Sequence, residues 1–194
     1  MRRLMIAAVL VAASWSGSAA AAGKYPDVVD TSAVDSGKER VLQLSIDLAA
    51  PTSAVWAAFT DPGTVRRWSA PMAIIDLRQG GSMEESYSPT ARPGDEENIR
   101  HEILAYVPGQ LLVFRNTHAP SALPGRELYK KVVSILEVRD LGGGRSRLML
   151  SQTGYGQGPE FDQLYGFFAE DNAELMEDLK TALETPKGKL RGAG

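Results

Sequence analysis

The longest run of regularly spaced apolar positions lies near the C-terminal end, from Glu160 to Glu184. Apolar residues recur there at intervals of three and four, which places them on one side of an amphipathic helix of about seven turns. This apolar stripe consists of Phe161, Leu164, Tyr165, Phe168, Leu175, Met176, Leu179 and Leu183. A helix this long with one apolar side needs a broad apolar surface to pack against.

Upstream segments alternate between apolar and polar residues, which is the pattern of strands with one buried face. The clearest is Val41 to Leu48, where Leu42, Leu44, Ile46 and Leu48 share a face. The same reading predicts six more strands, at Met72–Arg78, Ser82–Tyr87, Asn98–Val107, Gln110–His118, Lys131–Arg139 and Arg145–Thr153. Turns rich in glycine or proline join most neighbouring strands, so the sheet should be antiparallel and strongly curved.

Two short helices are predicted between the first strand and the second. Pro51 and Thr52 open a helix from Ser53 to Thr60, and Asp61-Pro62 ends it. Pro62 then begins a second helix that reaches Trp68, because proline suits a first helical turn. The chain is therefore predicted to be an α+β protein, with about seven curved antiparallel strands wrapped around the long C-terminal helix.

The N-terminal residues 1–22 have the pattern of a secretory signal peptide. Arg2 and Arg3 precede an apolar run from Leu4 to Trp15, and small residues follow up to Ala22. The run is too short for a resident membrane-spanning helix. We expect a secreted or periplasmic protein with no stable membrane insertion after cleavage, exported by ordinary secretion or by the twin-arginine route.

Composition narrows the class of protein further. The chain has no cysteine, so it can form neither a disulfide nor a thiolate metal site, and its domain must depend on a hydrophobic core. The formal charge of −3 becomes −5 without residues 1–22, which hold two arginines and no acid. This mild acidity argues against nucleic acid as a partner. Polar residues 23–40 are predicted to be a spacer that is flexible or loosely draped on the domain, and residues 185–194 a disordered tail.

Short motifs follow one another in a fixed order along residues 41–184. They are Pro51-Thr52-Ser53-Ala54-Val55-Trp56, Phe59-Thr60-Asp61-Pro62, Arg67-Trp68, Asp76-Leu77-Arg78-Gln79-Gly80-Gly81, Glu102 through Pro108 to Leu111 with Val113 and Phe114, and Gly143-Gly144-Arg145-Ser146-Arg147-Leu148 continuing to Gly154-Tyr155. In this order they resemble the START-like (SRPBCC) superfamily, which includes the birch-pollen-allergen fold. Within it, they resemble the branch named after the activator of heat-shock-protein-90 ATPase.

This resemblance implies a helix-grip fold with a cavity between the sheet and the long helix. One departure is clear, because that branch usually carries a Gly-Trp pair early in the final helix, where this chain has Asp171-Asn172. The superfamily includes carriers, cyclases, dehydratases, oxygenase subunits and a co-chaperone. The resemblance therefore implies a fold without implying one chemistry.

Two histidines are the first candidates for chemistry. Strand alternation puts His101 on the apolar face of its strand with Ile103, so it should point toward the cavity. His118 shares a face with Phe114 by the same test. His101 could transfer a proton, orient a ligand, or be a core histidine satisfied by a backbone carbonyl or water. No third ligand accompanies the two imidazoles, so neither a metal nor another cofactor is expected.

Asn172 is the second candidate, because it lies four residues after Phe168 and four before Met176, near the apolar side of the helix. Burying an unpaired amide costs about 1–3 kcal/mol, so its side chain needs a partner. That partner could be a ligand, solvent at the helix rim, or Gln152, which alternates in register with Leu150.

Two further segments have open interpretations. Glu84 and Glu85 are adjacent in a strand and so point to opposite faces, which excludes a paired-carboxylate site. Glu85 could line the cavity with Met83 and Tyr87, or lie at a solvated edge. The segment from Gly154 to Pro159 could gate the cavity or be a plain connector.

The leading hypothesis is an exported, non-catalytic domain that binds a small apolar or amphipathic molecule between the sheet and the long helix. Its candidate ligand-binding residues are His101, Ile103, Phe114, Leu150, Gln152, Tyr155, Tyr165, Phe168, Asn172 and Met176. One alternative is a cyclase- or dehydratase-like enzyme in which His101 moves a proton and Asn172 or Tyr87 holds an oxyanion. The other is a protein-interaction module like the co-chaperone, which export disfavours. Oligomeric state is not predicted.

Overall fold

The computed structural model describes residues 24–34 and 39–185. Within these ranges the strands are β1 Val28–Asp30, β2 Ala33–Val34, β3 Arg40–Leu48, β4 Met72–Ile75, β5 Ser82–Ser86, β6 Ile99–Val107, β7 Leu111–His118, β8 Val133–Gly142 and β9 Arg145–Tyr155. The helices are α1 Thr52–Thr60, α2 Pro62–Trp68, α3 Arg126–Tyr129 and α4 Pro159–Glu184. Both predicted short helices and the predicted long helix are therefore present.

All strands join one antiparallel sheet in the order β1-β3-β9-β8-β7-β6-β5-β4, and β2 also pairs with β3. The first long strand, β3, lies beside the last strand, β9, with Leu44 opposite Leu150. Helix α4 packs against β3, β9 and β1, while α1 lies against β8 and β9. The predicted fold class, an antiparallel sheet closing over a long C-terminal helix, is confirmed.

The junction between α1 and α2 follows from local chemistry. The backbone N–H of Asp61 donates to the carbonyl of Ala57 at 3.0 Å and closes α1. The carboxylate of Asp61 accepts from the backbone N–H of Thr64 at 2.7 Å, so the same residue caps the start of α2. Pro62 occupies the first turn, where its missing N–H costs nothing.

The prediction of a flexible spacer at residues 23–40 needs correction. The segment adds two strands to the sheet, since Val28 pairs with Ile46 and Ala33 with Val41. Tyr25 and Val28 are buried in the hydrophobic core. Strands of three and two residues are too short to show an alternating pattern, which is why the sequence did not indicate them. The predicted signal peptide, residues 1–22, and residues 186–194 of the predicted tail lie outside the described residues.

The tightest part of the core lies where β3 meets the helices. Leu44 and Leu48 of β3, Val55 of α1, and Leu164 and Leu179 of α4 are each 0% exposed. The even positions of β3 face inward as the alternation predicted. None of the helices in the described ranges combines the length and apolar character needed to span a bilayer.

Candidate functional site

A cavity of about 450 Å³ lies between the inner face of the sheet and helices α1, α2 and α4. Its walls are mostly apolar, and they include Phe59, Trp68, Met83, Phe114, Leu150 and Phe168. A volume of this size, with apolar walls and a few polar groups, is typical of small-molecule binding sites. An outer pocket of about 240 Å³ adjoins it and shares Trp68, Ser69, Tyr87, Asp171 and Leu175 with the cavity.

His101 lines this cavity from β6 and is 5% exposed, so the predicted inward orientation is confirmed. Its Nε2 lies 3.3 Å from the hydroxyl of Tyr129, and its ring meets the ring of Phe114 edge-on with centroids 5.0 Å apart. Its Nδ1 is buried without a hydrogen-bond partner. Burial lowers the pKa of His101 to about 4, so the imidazole is neutral at neutral pH.

Glu85 lines the same cavity from β5, where it pairs with Ile99 and follows the pair formed by Met83 and His101. The cavity-lining interpretation of Glu85 therefore holds and the solvated-edge interpretation does not. Burial raises the pKa of Glu85 to about 7, because enclosure by protein disfavours the charged carboxylate. Among the described residues, no side chain forms a hydrogen bond or ion pair with the Glu85 carboxylate.

Glu84 provides a contrast on the adjacent position of β5. Its carboxylate accepts from the backbone N–H of Gly94 and from Asn98 Nδ2, each at 2.7 Å, and lies 3.5 Å from Arg100 Nε. Burial alone would raise the pKa of Glu84, but these donors outweigh burial and hold the pKa below its usual value. Glu84 is therefore satisfied by the protein itself, whereas Glu85 is not.

A buried polar network joins α4 to the sheet beside the cavity. Asn172 Nδ2 donates to Gln152 Oε1 at 3.1 Å, and the Tyr155 hydroxyl donates to the same oxygen at 2.7 Å. Gln152 Nε2 in turn donates to Ser134 Oγ at 3.1 Å. Of the partners considered for Asn172, the structure shows Gln152. The network fixes Asn172 at the cavity wall.

The structure brings most of the predicted site residues together around the cavity. Those that line it are His101, Phe114, Leu150, Gln152, Phe168, Asn172 and Met176. Ile103 does not line the cavity, and its side chain packs in the hydrophobic core with 0% exposure. Tyr155 and Tyr165 lie outside it, with their rings edge-on at 5.0 Å, so Tyr155 meets the site only through Gln152.

Other predicted features lie elsewhere. His118 hydrogen-bonds the backbone carbonyl of Glu96 and does not line the cavity, so the two imidazoles do not share a site. The segment from Gly154 to Pro159 contributes no lining residue, which leaves it a connector. Gly154 has φ +89°, and an added Cβ would lie 2.4 Å from the carbonyl oxygen of Lys131, so the close packing there requires glycine.

Two of the residues that complete the site were not among the predicted site residues. Tyr129 comes from α3, a helix of four residues that is too short to show a periodic pattern. Asp171 lines the cavity beside Asn172, where the chain departs from the expected Gly-Trp pair. That departure was the available signal for Asp171. Among residues 24–34 and 39–185, no three His, Asp or Glu side chains are arranged to hold a metal ion.

A curved antiparallel sheet that closes over a terminal helix and leaves a cavity defines a helix-grip protein of the START-like (SRPBCC) superfamily. The model of the family described as Activator of Hsp90 ATPase homolog 1-like protein matches residues 49–184, more than half of the chain. The chain therefore belongs to this family. No curated protein matches it significantly.

Solved structures share the fold at low sequence identity. CalU16 from Micromonospora echinospora is 18% identical, with a TM-score of 0.56, and the match covers 84% of this chain and 87% of that one. Aha1 from Colwellia psychrerythraea, described as a dimer, is 13% identical with a TM-score of 0.58, over 76% and 98%. Protein MLL2253 from Mesorhizobium loti is 21% identical with a TM-score of 0.58, over 75% and 97%. At these identities the similarity concerns the fold alone.

Proposed function

We propose that this protein is an exported single-domain binder of a small apolar or amphipathic molecule, held in the cavity between the sheet and α4. The observation that carries the proposal is the cavity of about 450 Å³ with mostly apolar walls. A packed core with no ligand role would close such a space, because each missing contact forfeits dispersion and burial energy. The retained space is therefore consistent with a guest molecule.

The walls supply affinity and the polar groups supply orientation. Burial of apolar ligand surface contributes about 25 cal/mol per Å², from which the costs of immobilising the ligand are subtracted. His101, Asn172 and Gln152 sit at fixed positions on the wall because of their hydrogen bonds to Tyr129, to Gln152 and to Ser134, respectively. A few fixed polar groups on apolar walls are the usual means of orienting a bound molecule.

Catalysis by His101 is the weaker alternative. An efficient acid or base at neutral pH has a pKa near 7, whereas burial lowers the pKa of His101 to about 4. In the neutral imidazole one ring nitrogen donates a hydrogen bond and the other accepts one, which suits a role in ligand orientation. The binding function therefore remains our conclusion.

The test begins with the protein purified from its own cell envelope or culture medium. Native mass spectrometry should show a noncovalently bound small molecule, and the intact mass should correspond to loss of residues 1–22. A full-length protein confined to the cytoplasmic fraction would contradict export. A folded protein with no co-purified molecule and no affinity for the neutral fluorescent probe Nile red would contradict the binding function.

Two variants locate the bound probe. Leu150→Trp and, independently, Ala119→Phe place larger side chains in the cavity, and each should abolish or strongly weaken Nile red binding. Val107→Trp is the matched control, because Val107 is 44% exposed and does not line the cavity, and it should bind as the unmodified protein does. Circular dichroism checks that each variant folds. Unchanged probe binding in both folded cavity variants would place binding elsewhere and overturn the proposal.

A further inference from the structure

The cavity wall carries acidic side chains and, within the described residues, no lysine or arginine. Glu84, Glu85 and Asp171 line it. Glu84 is neutralised by Arg100 and satisfied by Asn98. Glu85 is half-buried and Asp171 is exposed. Neither forms a hydrogen bond or ion pair with any described residue, and the neighbouring charge that acts on Asp171 is another carboxylate, Glu174.

A carboxylate that is partly removed from water and has no partner is costly to ionise, and no described lysine or arginine lines the cavity with Glu85. The titratable groups that line the cavity with it are Tyr87 directly after β5, His101 on β6, Tyr129 on α3 and Asp171 on α4. The negative charges of Glu85 and Asp171 both add to the effect of burial in raising the pKa of Tyr129. The two carboxyl groups therefore act on the same region of the cavity.

The outer pocket is also acidic, and no described lysine or arginine lines it. It is lined by the aromatic rings of Trp68 and Tyr87 and by the carboxylates of Asp171, Glu174 and Asp178. Aromatic faces and carboxylates are the groups that bind ammonium ions in proteins. Because this pocket shares Trp68, Tyr87 and Asp171 with the main cavity, its carboxylates attract cations to the side of the cavity where Asp171 lies.

His101 adds an independent observation. The residue is 5% exposed, lines the cavity, and has a buried Nδ1 with no partner. Buried polar atoms in native proteins are almost always hydrogen-bonded, so this unpaired nitrogen is unusual, and the imidazole adds polarity but no positive charge to the cavity wall. A neutral imidazole can accept a hydrogen bond from an ammonium group through one of its nitrogens.

We infer that the guest is an amphipathic amine, with its apolar body against the cavity walls and its protonated nitrogen neutralised by the carboxylate of Glu85. Asp171 and the other carboxylates of the outer pocket attract the cation to the side of the cavity where Asp171 lies. This inference rests on the proposed function, because it specifies the ligand class of the same cavity. A fatty acid would place its carboxylate against Glu85 and Asp171 with no cation to pair with it, which disfavours anionic amphiphiles.

Binding of an amine should depend on pH in a defined direction. Glu85 loses its proton as the pH rises through about 7, whereas a primary alkylamine, like a lysine side chain, stays protonated to about pH 10. Asp171, whose pKa burial also raises, changes charge in the same sense. His101 remains neutral throughout. Amine affinity should therefore increase from pH 6 to about pH 8, and Glu85→Gln should flatten this increase.

The experiment is displacement of Nile red from the full chain at about pH 8 by three ligands with the same alkyl group: decylamine, decanol and decanoate. Decylamine should displace the probe at a concentration at least about tenfold below the other two, as expected for one charge-assisted contact in an enclosed site. Glu85→Gln should remove this preference and Asp171→Asn should reduce it, each measured as decylamine affinity relative to decanol affinity in the same variant. Glu160→Gln, which removes the same charge outside the cavity, is the control and should behave as the unmodified protein does.

The outcomes separate the two proposals. Decanol or decanoate binding as tightly as decylamine would overturn the amine inference while leaving the binding function intact. An amine preference that survives in the Glu85→Gln, Asp171→Asn double variant would also overturn it. If the folded protein binds neither Nile red nor any of the three ligands, the proposed function itself fails, and the inference with it.

Discussion

The two halves of the sheet meet the helices in different ways. In the packed half, which we define as β3 with the residues of α1 and α4 that cover it, Leu44, Leu48, Val55 and Leu179 are completely buried. In the hollow half, which we define as β4 to β9 with α2 and α3, the inner face of the sheet borders the cavity. The packed half therefore supplies stability, while the hollow half leaves interior space for a ligand.

The distribution of unsatisfied polar atoms follows the same division. The buried side-chain atoms without a partner in the described residues are Asn98 Oδ1, His101 Nδ1 and Asn116 Oδ1, and all three belong to β6, β7 or the residue before β6. The unpaired carboxyl group of Glu85 lies on the adjacent strand, β5. Such groups lower stability, and of these residues His101 and Glu85 line the cavity, as expected of a binding site formed at the expense of packing.

The largest expected effect compares two leucines that face each other across β3 and β9. Leu44 lies opposite Leu150, but Leu44 is 0% exposed and away from the cavity, whereas Leu150 lines it. Leu44→Ala should lower the free energy of unfolding by about 2–5 kcal/mol. Leu150→Ala should cost at least about 1 kcal/mol less, because its side chain already has fewer contacts on the cavity side. Urea denaturation measures both, and equal losses would mean that the cavity is filled in solution.

The next effect concerns the polar network at the boundary between the halves. Gln152→Leu leaves the buried Asn172 amide and the Tyr155 hydroxyl without their shared acceptor. The free energy of unfolding should fall by about 2–4 kcal/mol, since each unpaired buried group costs about 1–3 kcal/mol. Gln163→Leu, an exposed position on α4, is the control and should change stability little. A small loss in Gln152→Leu would show that water replaces the lost acceptor.

The pH dependence of stability sharpens the comparison within the hollow half. Glu85 has a pKa of about 7 in the folded protein, above its ordinary value of 4.5. Its contribution to the free energy of unfolding therefore falls as the pH rises from 4.5 to 7. His101 has a pKa of about 4 in the folded protein, below its ordinary value of 6.5. Its contribution to the free energy of unfolding therefore falls as the pH drops from 6.5 to 4. The two trends oppose each other, and the unmodified protein should show little net change between about pH 4.5 and 6.5.

Single substitutions should expose each trend. Glu85→Gln should leave a protein that gains about 1–3 kcal/mol of stability from pH 4.5 to 6.5, and His101→Leu one that loses a similar amount over the same range. Chemical denaturation at several pH values measures both slopes. Parallel curves for the two variants would show that these side chains are not enclosed as the structure places them.

The smallest effect belongs to the outer surface of the packed half. Arg147 donates to Asp47 through Nε at 2.6 Å and Nη2 at 3.0 Å, and this pairing lowers the pKa of Asp47. Both side chains are partly exposed, so solvent and salt screen the attraction. Arg147→Ala should change the free energy of unfolding by no more than about 1 kcal/mol, and by less still at high salt. A loss comparable to that of Leu44→Ala would place the stabilising interactions outside the core.

Long periodic segments were predictable because many residues carry the same signal. Helix α4 begins at Pro159, one residue before the predicted start, and β3 follows the predicted alternation along its length. Strands β1 and β2 and helix α3 were not predicted, because each is too short for a period to be visible. Their conformation depends on pairing with β3 and on packing against α4, which the local sequence does not encode.

The site shows the same limit at the level of single residues. Alternation correctly turned His101 inward, and helical spacing placed Asn172 beside the cavity. The same rules put Ile103 on the inner face, but they could not show that the space in front of it is filled by the protein's own core. Alternation assigned Glu85 to a face of the sheet, but it could not show whether other residues cover that face. It therefore left open whether Glu85 lines the cavity or lies at a solvated edge.

The amino-acid sequence by itself determined the order of the main elements, the inward face of the long strands, the apolar side of α4 and the family resemblance. These properties repeat along the chain, so neighbouring residues reinforce one another. Only the tertiary structure decided where the interior is solid and where it is hollow, and which polar groups on the wall lack partners. Those properties depend on distances between residues far apart in sequence, such as Glu85, Tyr129 and Asp171, which the folded sheet and helices bring around one cavity.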